Sequence, residues 1–445
     1  MKIAIVGSGI SGMGAALALE AEHDVTLFEA GDRIGGHART LDVPFGSATE
    51  AVDVGFIVFN ARNYPNLCSM FEHLGVPSKW SDMSFGFSLQ DGACEYACDN
   101  LDKLFAQRWR ALDPWHLAGL RDVLRFMKRA PEEMAAGELA GLSLGEWIAA
   151  RGYGSWFRDR FILPMGGAIW STPTREMMAF PAQNFVRFFV NHDLMTGLSP
   201  AQRWRTVSGG SRAYVSRVAS RLGDRAITGR RAVAARAASG GRPAAVRFED
   251  GGVVEADALL LACHAPQALA LLRAGGEDAL DPAVAGTLGQ FRTSANRAIL
   301  HSDVSLMPKR RKVWSSWNFL SEGADADADR PAPVTYWMNR LQGIPEQHPL
   351  FVSLNPSREP DPERTHAAVD WAHPVFDGAS FAAQEALDAL QGRGGVWFAG
   401  AWLGYGFHED GLRAGLRVAE ALGARPAWVR DTGTPLSHPE RVAAE

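Results

Sequence analysis

The sequence predicts an α/β protein with two domains, one built on a parallel β-sheet and one of α+β type. Three observations lead to this prediction. They are a strand–turn–helix–strand unit at the N-terminus, a strand–glycine–helix unit near the C-terminus, and helical and strand-like stretches between them. The chain has 445 residues, which is enough for two or three domains.

The N-terminal unit predicts a Rossmann-type dinucleotide site. Lys2–Val6 is a short apolar run typical of a buried parallel strand, Ala15–Glu22 is predicted to be a helix, and Asp24–Phe28 is a second strand that leads into Glu29. Glu29 can accept hydrogen bonds from a ribose diol. The residues between strand and helix form G-x-G-x-x-G, with cofactor-binding candidates Gly7, Gly9, Ser11 and Gly12.

Each glycine of this motif has a physical role. Gly7 permits a tight turn, Gly9 lets the backbone approach a pyrophosphate, and Gly12 lets the helix pack closely on the strand. The free amides and the dipole of the helix N-terminus favour the phosphates.

The residues after the second strand resemble a known FAD motif. Glu29 is followed by three residues and then by Arg33, Gly35, Gly36 and His37, which is the pattern E-x3-R-x-G-G. The pattern resembles the flavin-containing amine oxidase superfamily, which also contains phytoene desaturases and protoporphyrinogen oxidases. The resemblance implies noncovalent FAD, with Arg33 at the phosphate or adenosine part and with Gly36 and His37 beside the cofactor.

Further segments resemble the rest of that FAD site. The segment Asp53–Phe56 resembles the one beside the flavin ring in the superfamily. Arg231–Ala238 and Ala244–Phe248 are predicted to pair as strands, and the resemblance implies that Val233 contacts adenine through its backbone. Asp257–Cys263 is predicted to be another strand.

The C-terminal segment resembles the family's last FAD motif. Val396–Ala399 is predicted to be a strand that ends at Gly400, and a helix is predicted to run to about Leu422. The resemblance implies that the amides of this helix's first turn stabilise negative charge on the reduced flavin. The implied contacts are Gly400, Glu409, Asp410 and Gly411. Relatives usually carry an acid just after the strand glycine, where this chain has Ala401 and Trp402, so one contact is missing or supplied otherwise.

The superfamily resemblance divides the chain into two discontinuous domains and a tail. The FAD-binding domain, of the amine-oxidase (GR2) type, is predicted to comprise 1–60, 205–265 and 390–425. The α+β substrate domain is predicted to comprise 61–204 and 266–389, and 426–445 would form the tail. Predicted helices are Leu139–Gly152, capped by Ser143, and Tyr153–Trp170; predicted strands are Arg297–His301, Val313–Phe319, Val334–Asn339 and Leu350–Asn355; Ser321–Pro333 is a predicted loop.

The stretch 101–129 combines basic residues with tryptophan and leucine. Such a segment can lie in a membrane interface, and the helical part 101–150 is the candidate membrane contact. The alternative is a pair of helices packed on the protein's own core with a solvated basic face. The cluster Met307–Trp314 has a similar composition, and its alternative is a basic strand edge in water.

Five stretches narrow the resemblance to a bacterial branch linked to cyclopropane and methyl-branched fatty-acid metabolism. They are 55–60, 165–172, 204–211, 336–342 and 404–411. The resemblance implies desaturation of an unsaturated, often methyl-branched, acyl chain of a membrane lipid on the way to furan fatty acids. Hydride would pass to flavin N5, with oxygen or a quinone as the final electron acceptor.

Candidate catalytic and substrate residues follow from these motifs. Phe407 falls where relatives carry a tyrosine of an amine-binding aromatic cage, which disfavours amine oxidation. Candidate bases are His408, which would titrate in the useful range if unperturbed, Glu409 and Asp53. The substrate pocket is predicted to include Trp170, Asn318, Tyr336, Asn339, Tyr405 and Phe407.

Several alternatives remain open at the level of sequence. The same fold supports a flavin amine oxidase, a carotenoid or porphyrinogen oxidase, or a flavin-dependent double-bond isomerase. A different class is a non-catalytic flavin- or lipid-binding protein that delivers acyl chains to a partner enzyme.

Composition and targeting signals exclude further classes. Lysine and arginine number 45 against 50 acidic residues, so the net charge of −5 does not indicate a nucleic-acid partner. The four cysteines include no C-x-x-C pair, and no metal is predicted. The short apolar run at the N-terminus leads us to expect no signal peptide, and no run approaches about 20 apolar residues. The expected location is the cytoplasm, in solution or at the inner face of the membrane.

Overall fold

The structure is a computed structural model that describes residues 1–192, 203–276, 280–321, 329–434 and 436. Nineteen strands are found in the described residues. In chain order they are β1 (Lys2–Val6), β2 (Asp24–Phe28), β3 (Thr40–Phe45), β4 (Ala48–Asp53), β5 (Ser78–Trp80), β6 (Phe85–Leu89), β7 (Cys94–Ala97), β8 (Arg205–Val207), β9 (Ala226–Ile227), β10 (Ala232–Arg236), β11 (Ala244–Phe248), β12 (Val253–Ala256), β13 (Ala258–Leu261), β14 (Arg292–His301), β15 (Trp317–Leu320), β16 (Val334–Trp337), β17 (Phe351–Leu354), β18 (Thr365–Val375) and β19 (Val396–Phe398).

The α-helices of the described residues connect these strands and cover the sheets. They are α1 (Ile10–Leu19), α2 (Pro65–Leu74), α3 (Leu101–Leu104), α4 (Pro114–Ala135), α5 (Leu144–Ala150), α6 (Ser155–Phe157), α7 (Leu163–Trp170), α8 (Thr174–Met177), α9 (Ala182–Asn191), α10 (Arg212–Leu222), α11 (Ala265–Ala274), α12 (Pro282–Leu288), α13 (Met338–Gln342), α14 (Gly378–Asp388) and α15 (His408–Ala421).

A five-stranded parallel sheet brings the two ends of the chain together. Its strand order is β19–β13–β1–β2–β9, so its strands come from three separated segments of the chain. Strands β1 and β13 are almost wholly buried because helices cover both faces of the sheet. Helix α1 crosses α15 at close range, since a Cβ at Gly415 would lie only 2.2 Å from the carbonyl oxygen of Ser11.

A second, mixed sheet of seven strands has the order β18–β14–β17–β16–β15–β6–β7. All its pairs are antiparallel except β15 with β6. Helices α4 to α9 and this sheet share one large hydrophobic core. The α+β prediction for the second domain therefore matches the observed layers.

Some predicted elements have different bounds. Helix α1 begins at Ile10 rather than Ala15 and ends at Leu19. Ser143 does cap α5, through a capping box with Glu146. The predicted strand 313–319 begins only at Trp317, because residues 311–313 form a 3₁₀ turn, and the predicted strand 334–339 ends at Trp337, where α13 begins. Most of the predicted loop, 322–328, lies outside the described residues.

Packing divides the chain somewhat differently from the predicted domain boundaries. Helix α2, from the segment 61–204, packs in the core on one face of the parallel sheet, and α11, α12 and α14, from 266–389, pack in the core on the other face. Trp428 and Val429 of the predicted tail are buried in the α2 core. No helix among the described residues is both long and apolar enough to span a bilayer.

Candidate active site

One continuous cavity of about 1240 Å³ is lined by residues from both sheets and their loops. Small-molecule pockets usually measure about 300–1,000 Å³, so this cavity has room for more than one ligand of ordinary size. One end lies at the carboxyl ends of β1, β2 and β13, which is where open α/β sheets bind ligands.

Gly7, Gly9 and Ser11 of the glycine motif line this end of the cavity. Gly7 has φ +104°, and a Cβ there would lie 2.5 Å from the Ala262 carbonyl oxygen. A Cβ at Gly12 would lie 2.0 Å from the Gly7 carbonyl oxygen, whereas one at Gly9 would meet nothing within 4 Å. The backbone at Gly9 is thus open to a ligand. Ser11 is buried and lines the cavity.

Glu29 lies in the cavity wall, held by its own neighbours. Its carboxylate accepts hydrogen bonds from the Ser8 amide and hydroxyl and from the Gly31 amide. Val233 also lines the cavity, and it sits at a β-bulge where the register between β10 and β11 shifts. A bulged residue leaves the ladder, so the backbone of Val233 is placed to meet a ligand, as its predicted adenine contact requires.

The Arg33 loop is braced by its own arginine. The Arg33 guanidinium donates to the carbonyls of Ile34, Gly36 and Ala38, and Arg33 does not line the cavity. Its predicted contact with the cofactor phosphate stays a prediction, since the described contacts shape the loop instead. Gly36 does line the cavity, with φ +55°, and a Cβ there would lie 3.0 Å from Gly9 Cα.

Three histidines face one another in the cavity wall. The His37 ring stacks on Trp371 at 4.4 Å and lies 5.5 Å from His373 and 6.2 Å from His264. Burial lowers the pKa of all three imidazoles, that of His373 to about 4, so they are neutral at pH 7. Cys263 is beside them, and burial raises the pKa of its thiol to about 12. No group of three or more His, Cys, Asp or Glu in the described residues is arranged to hold a metal ion.

The C-terminal motif closes the site from the other side. Gly400 lines the cavity. The Trp402 indole, close to the position where the family resemblance implies an acid, donates to the Cys263 carbonyl at 3.0 Å. Asp410 accepts hydrogen bonds from the Tyr405 and Phe407 amides and so shapes the loop rather than lining the cavity. A Cβ at Gly411 would lie 2.9 Å from Ser11 Oγ. Gly411 thus allows α15 to pack on α1.

His408 lies in the cavity wall, and its buried surroundings shift its pKa. Its ring stacks on Phe56 at 3.8 Å, and Nε2 lies 3.2 Å from the Tyr214 hydroxyl. Burial lowers the pKa of His408 to about 3. The imidazole is therefore neutral throughout the physiological range, and the condition of an unperturbed pKa, on which its choice as a base depended, is not met.

The structure places the other two candidate bases outside the cavity wall. Glu409 accepts hydrogen bonds from the Asn66 amide and side chain and from the Leu67 amide, which anchors the first turn of α2. Asp53 is buried and accepts from the Ser211 amide and hydroxyl. Burial raises the pKa of Asp53 to about 6, against the opposing effect of these donors. Neither carboxylate is placed to take a proton from a substrate in this cavity.

The predicted substrate residues divide in the same way. Trp170, Tyr336, Tyr405 and Phe407 line the cavity. Asn318 and Asn339 do not: Asn318 donates to the carbonyls of Ser315 and Thr335, and Asn339 donates to three carbonyls of the loop 344–348. The side-chain amides of both asparagines are buried and therefore need hydrogen-bond partners. They find them in backbone carbonyls at the ends of strands of the mixed sheet, which they stabilise.

Sequence reasoning missed much of the far end of the cavity. The missed wall is apolar and comes from helices and strands distant in the chain; it includes Phe85, Met127, Phe161, Met165, Phe188, Trp317, Trp371 and Phe376, together with His192. The regular spacing of Phe185, Phe188 and His192 along α9 was the available signal, since residues three and four apart share a helix face.

The nucleotide end fits the FAD that the motifs imply. Gly9 leaves the α1 N-terminus without a side-chain cap, so its amides are available for phosphate. Gly9 and Gly36 leave space where a side chain would intrude, and Glu29 and Val233 lie at the same end. Gly400 and His408 line the wall on the other side. The flavin would therefore be held between the two motifs.

Comparisons with known proteins agree with this assignment. The family model of flavin-containing amine oxidoreductases matches residues 10–299. The fold is similar to putrescine oxidase bound to putrescine, at 17% identity and TM-score 0.68, with 95% of this chain and 99% of that chain covered. It is also similar to the CLA-producing fatty acid isomerase from P. acnes, at 14% identity and TM-score 0.65 with coverage of 95% and 99%. Cyclohexylamine oxidase from Brevibacterium oxydans matches at 17% identity and TM-score 0.66, with coverage of 95% and 98%. No curated protein matched the sequence.

Proposed function

Because the chain belongs to the flavin-containing amine oxidoreductase family, we propose that it is an FAD-dependent enzyme that desaturates an unsaturated fatty acyl chain. The observation that carries the proposal is the apolar wall of the cavity beyond the cofactor end. The sequence resembles a bacterial branch linked to furan fatty acids, and this resemblance suggests the substrate class, an unsaturated acyl chain that is often methyl-branched.

Most of the far wall offers apolar contact to an acyl chain. Its aromatic and aliphatic side chains include Phe85, Met127, Phe161, Met165, Ile169, Phe188, Val352, Leu354 and Phe376. Burial raises the pKa of the Tyr336 and Tyr405 phenols, so both stay neutral. An allylic C–H bond has no polar handle, so apolar contact must hold it in position for reaction.

The chemistry that bound FAD supplies is acceptance of a hydride from the substrate, with the two electrons leaving later to oxygen or a quinone. Desaturation removes a hydride and a proton from neighbouring carbons and forms one new C=C bond. The chain's own residues must position the carbons, exclude water and accept the proton. Glu409 and Asp53 do not suit the task of accepting the proton, because their carboxylates are engaged outside the cavity wall. His408 does not suit it either, because its lowered pKa makes it a weak base.

We assign the role of accepting the substrate proton to His192, which lies in the cavity wall. Its ring stacks on Phe188 at 3.9 Å and lies 5.7 Å from the Phe407 ring. Its Nδ1 lies 2.9 Å from the Phe188 carbonyl oxygen, which can only accept, so Nδ1 carries the hydrogen. In the tautomer with its hydrogen on Nδ1, Nε2 is the basic nitrogen, and a basic nitrogen is what general-base catalysis uses.

The test is anaerobic reduction of the bound flavin by candidate lipids, followed by mass spectrometry of the acyl chains. We expect bleaching of the flavin absorbance and a product lighter by two hydrogens. Unchanged mass with a moved double bond would indicate an isomerase instead. A flavin that no lipid reduces would refute the proposal and favour a lipid-binding role.

The role of His192 has its own test. The His192→Phe variant should slow flavin reduction by about 10²-fold or more, the usual contribution of a general base, with flavin content unchanged. The matched control is His73→Phe, an exposed histidine on α2. Equal reduction rates in both variants would remove His192 from the mechanism.

A second candidate function is amine oxidation, and the observation that favours it is the carboxylate of Asp99 in the cavity wall. Asp82 and Asp99 line the far part of the cavity and pair with Arg340 and Lys103. Asp99 Oδ1, however, is buried and has no hydrogen-bond donor among the described residues. A substrate with a distal ammonium group could pair with the Asp99 carboxylate, which lines the cavity. Peroxide release with a polyamine panel, abolished in Asp99→Asn, would establish this function in place of desaturation.

A further inference from the structure

An exposed apolar surface covers the outside of the helices at the far end of the cavity. Ten large hydrophobic side chains are exposed in the described residues, and six lie between 101 and 124. Leu112 is 86% exposed and Leu124 is 67% exposed. Single exposed leucines are ordinary, but a cluster of this kind marks an interaction site. We call these six residues and the exposed basic residues Arg121 and Lys128 the docking face. Its members are Leu101, Trp109, Leu112, Trp115, Leu117, Arg121, Leu124 and Lys128.

The outer side of α4 alternates apolar and basic residues. Leu117, Arg121, Leu124 and Lys128 are all exposed, and their spacing places them along one face of the helix. The opposite side carries buried residues, including Phe126 at 0% exposure. Leucines alternating with cations suit a bilayer with acidic lipids. The leucines can enter its apolar interior, and the cations can contact the anionic headgroups.

Two basic clusters that are distant in sequence meet beside this face. Lys312 pairs with Asp102 of α3 at 2.5 Å, and Arg310 pairs with buried Glu95 at 2.7 Å, so the segment 307–314 lies against the start of the docking face. Arginines also fix the two tryptophans: Arg110 lies 4.3 Å from the Trp109 ring centre and Arg160 lies 4.3 Å from that of Trp115. Arginine-braced tryptophans are rigid, amphipathic side chains of the kind enriched at membrane interfaces.

The same elements line the cavity from inside. Cys98 and Asp99, in the cavity wall, directly precede α3, and Met127 of α4 lies in the wall three residues after exposed Leu124. The exposed apolar face and the far end of the cavity are thus two sides of one layer. We propose that this face docks on an anionic lipid bilayer and that the acyl substrate enters the cavity from the bilayer past Met127. The route, but not the docking, rests on the proposed function.

A bilayer is favoured over a protein partner by the composition of the face. Arg121 and Lys128 are exposed, and the neighbouring carboxylates Asp102 and Asp122 each pair with two basic side chains, so cations are in excess at the face and it complements anionic headgroups. Cores of protein interfaces, in contrast, are depleted in charge. A second copy of the chain would place these cations against each other.

The docking test is sedimentation of the FAD-loaded protein with vesicles. Vesicles with phosphatidylglycerol should bind the protein, and pure phosphatidylcholine vesicles or high salt should bind it much less. The double variant Leu112→Ser/Leu124→Ser should bind at least about tenfold more weakly, because each leucine would otherwise bury several methylenes in lipid. Val253→Ser, exposed at 57% on β12, is the matched control and should bind like the wild type.

Several results would overturn the docking. They are binding that is the same with both vesicle types, binding that the double variant retains, and a stable dimer in sedimentation velocity that the double variant dissociates. The last result would mean that a second copy covers the face. Each of these readouts is independent of turnover, so docking can fail while lipid still reduces the flavin, or stand when no lipid does.

The route is tested by filling it. Met127→Trp should slow flavin reduction by vesicle lipid much more than it slows reduction by a short, water-soluble unsaturated acyl substrate, while vesicle binding stays unchanged. Equal slowing with both substrates, or none with either, would reject the route past Met127. Absence of reduction by both substrates in the wild type would instead reject the proposed function.

Discussion

Replacing Glu409 by glutamine separates a structural anchor from a catalytic base. Glu409 Oε1 accepts from the Asn66 amide at 3.0 Å and side chain at 2.8 Å, and Oε2 accepts from the Leu67 amide at 3.0 Å. Glutamine can keep the first two contacts with its one carbonyl oxygen. Its NH₂ group then faces the Leu67 amide, so a buried donor loses its partner.

The magnitude follows from that loss. An unpaired buried donor costs about 1–3 kcal/mol, and hydrogen bonds to a charged group are worth about 1.5–3 kcal/mol. The carboxylate also stabilises the positive end of the α2 dipole. We therefore expect the free energy of unfolding to fall by about 2–4 kcal/mol in Glu409→Gln. The rate of anaerobic flavin reduction should change by no more than about threefold, because the side chain does not line the cavity.

The assay pairs urea unfolding with anaerobic flavin reduction, and Glu72→Gln is the control. Glu72 is also a glutamate at the same helix but is exposed, so its loss of charge should leave both quantities unchanged. If Glu409 were the base, its variant would keep its stability and lose 10²–10⁴-fold in rate. That pattern would refute the structural role derived from the hydrogen bonds.

Two further predictions concern the cofactor loop and the pH dependence of folding. Gly36→Ala should weaken FAD binding about fivefold or more, measured by flavin fluorescence, because its Cβ would press on Gly9 at 3.0 Å. Gly46→Ala, with φ +61° and open space around it, carries the same backbone strain and should bind FAD normally; equal losses would mean that strain alone is responsible. Burial lowers the pKa of fully buried His301 to about 4, so the unfolded chain takes up a proton first as the pH falls below 6.5. His301 alone should account for a loss of up to about 3 kcal/mol of stability between pH 6.5 and 4, and His301→Asn should make the slope in urea titrations shallower by that amount; an unchanged slope would contradict the assignment.

The cofactor half of the site could be predicted from sequence because backbone geometry determines it. A glycine that must adopt φ +104°, as Gly7 does, or approach another loop closely, as Gly36 does, leaves a fixed pattern in the chain. The same holds for the parallel strands, whose apolar runs are buried on both faces. The resemblance to an FAD family and the family match agree for this reason.

The catalytic residues could not be predicted in the same way, because neighbours in sequence point in different directions. His408 and Glu409 are consecutive on α15, so their side chains are about 100° apart. One meets the cavity and the other meets α2. Asp53 ends a strand beside the flavin motif, but its carboxylate turns to the Ser211 amide. A motif therefore locates a segment and leaves open which side chain reaches the substrate.

The far half depends on contacts between distant segments, and those contacts decide the chemistry. His37, His264, His373 and His408 are neutral at pH 7, because burial lowers the pKa of each. A site of neutral rings and aliphatic side chains solvates charge poorly, so a cation entering it must lose its proton or find a carboxylate. An acyl chain meets no such cost. Asp82 and Asp99 are carboxylates in the far part of the described cavity that could offset that cost, and Asp99 lies beside the exposed face rather than at the flavin end. The arrangement of charge thus favours an uncharged substrate at the reacting end, which is where an acyl C–H bond would lie.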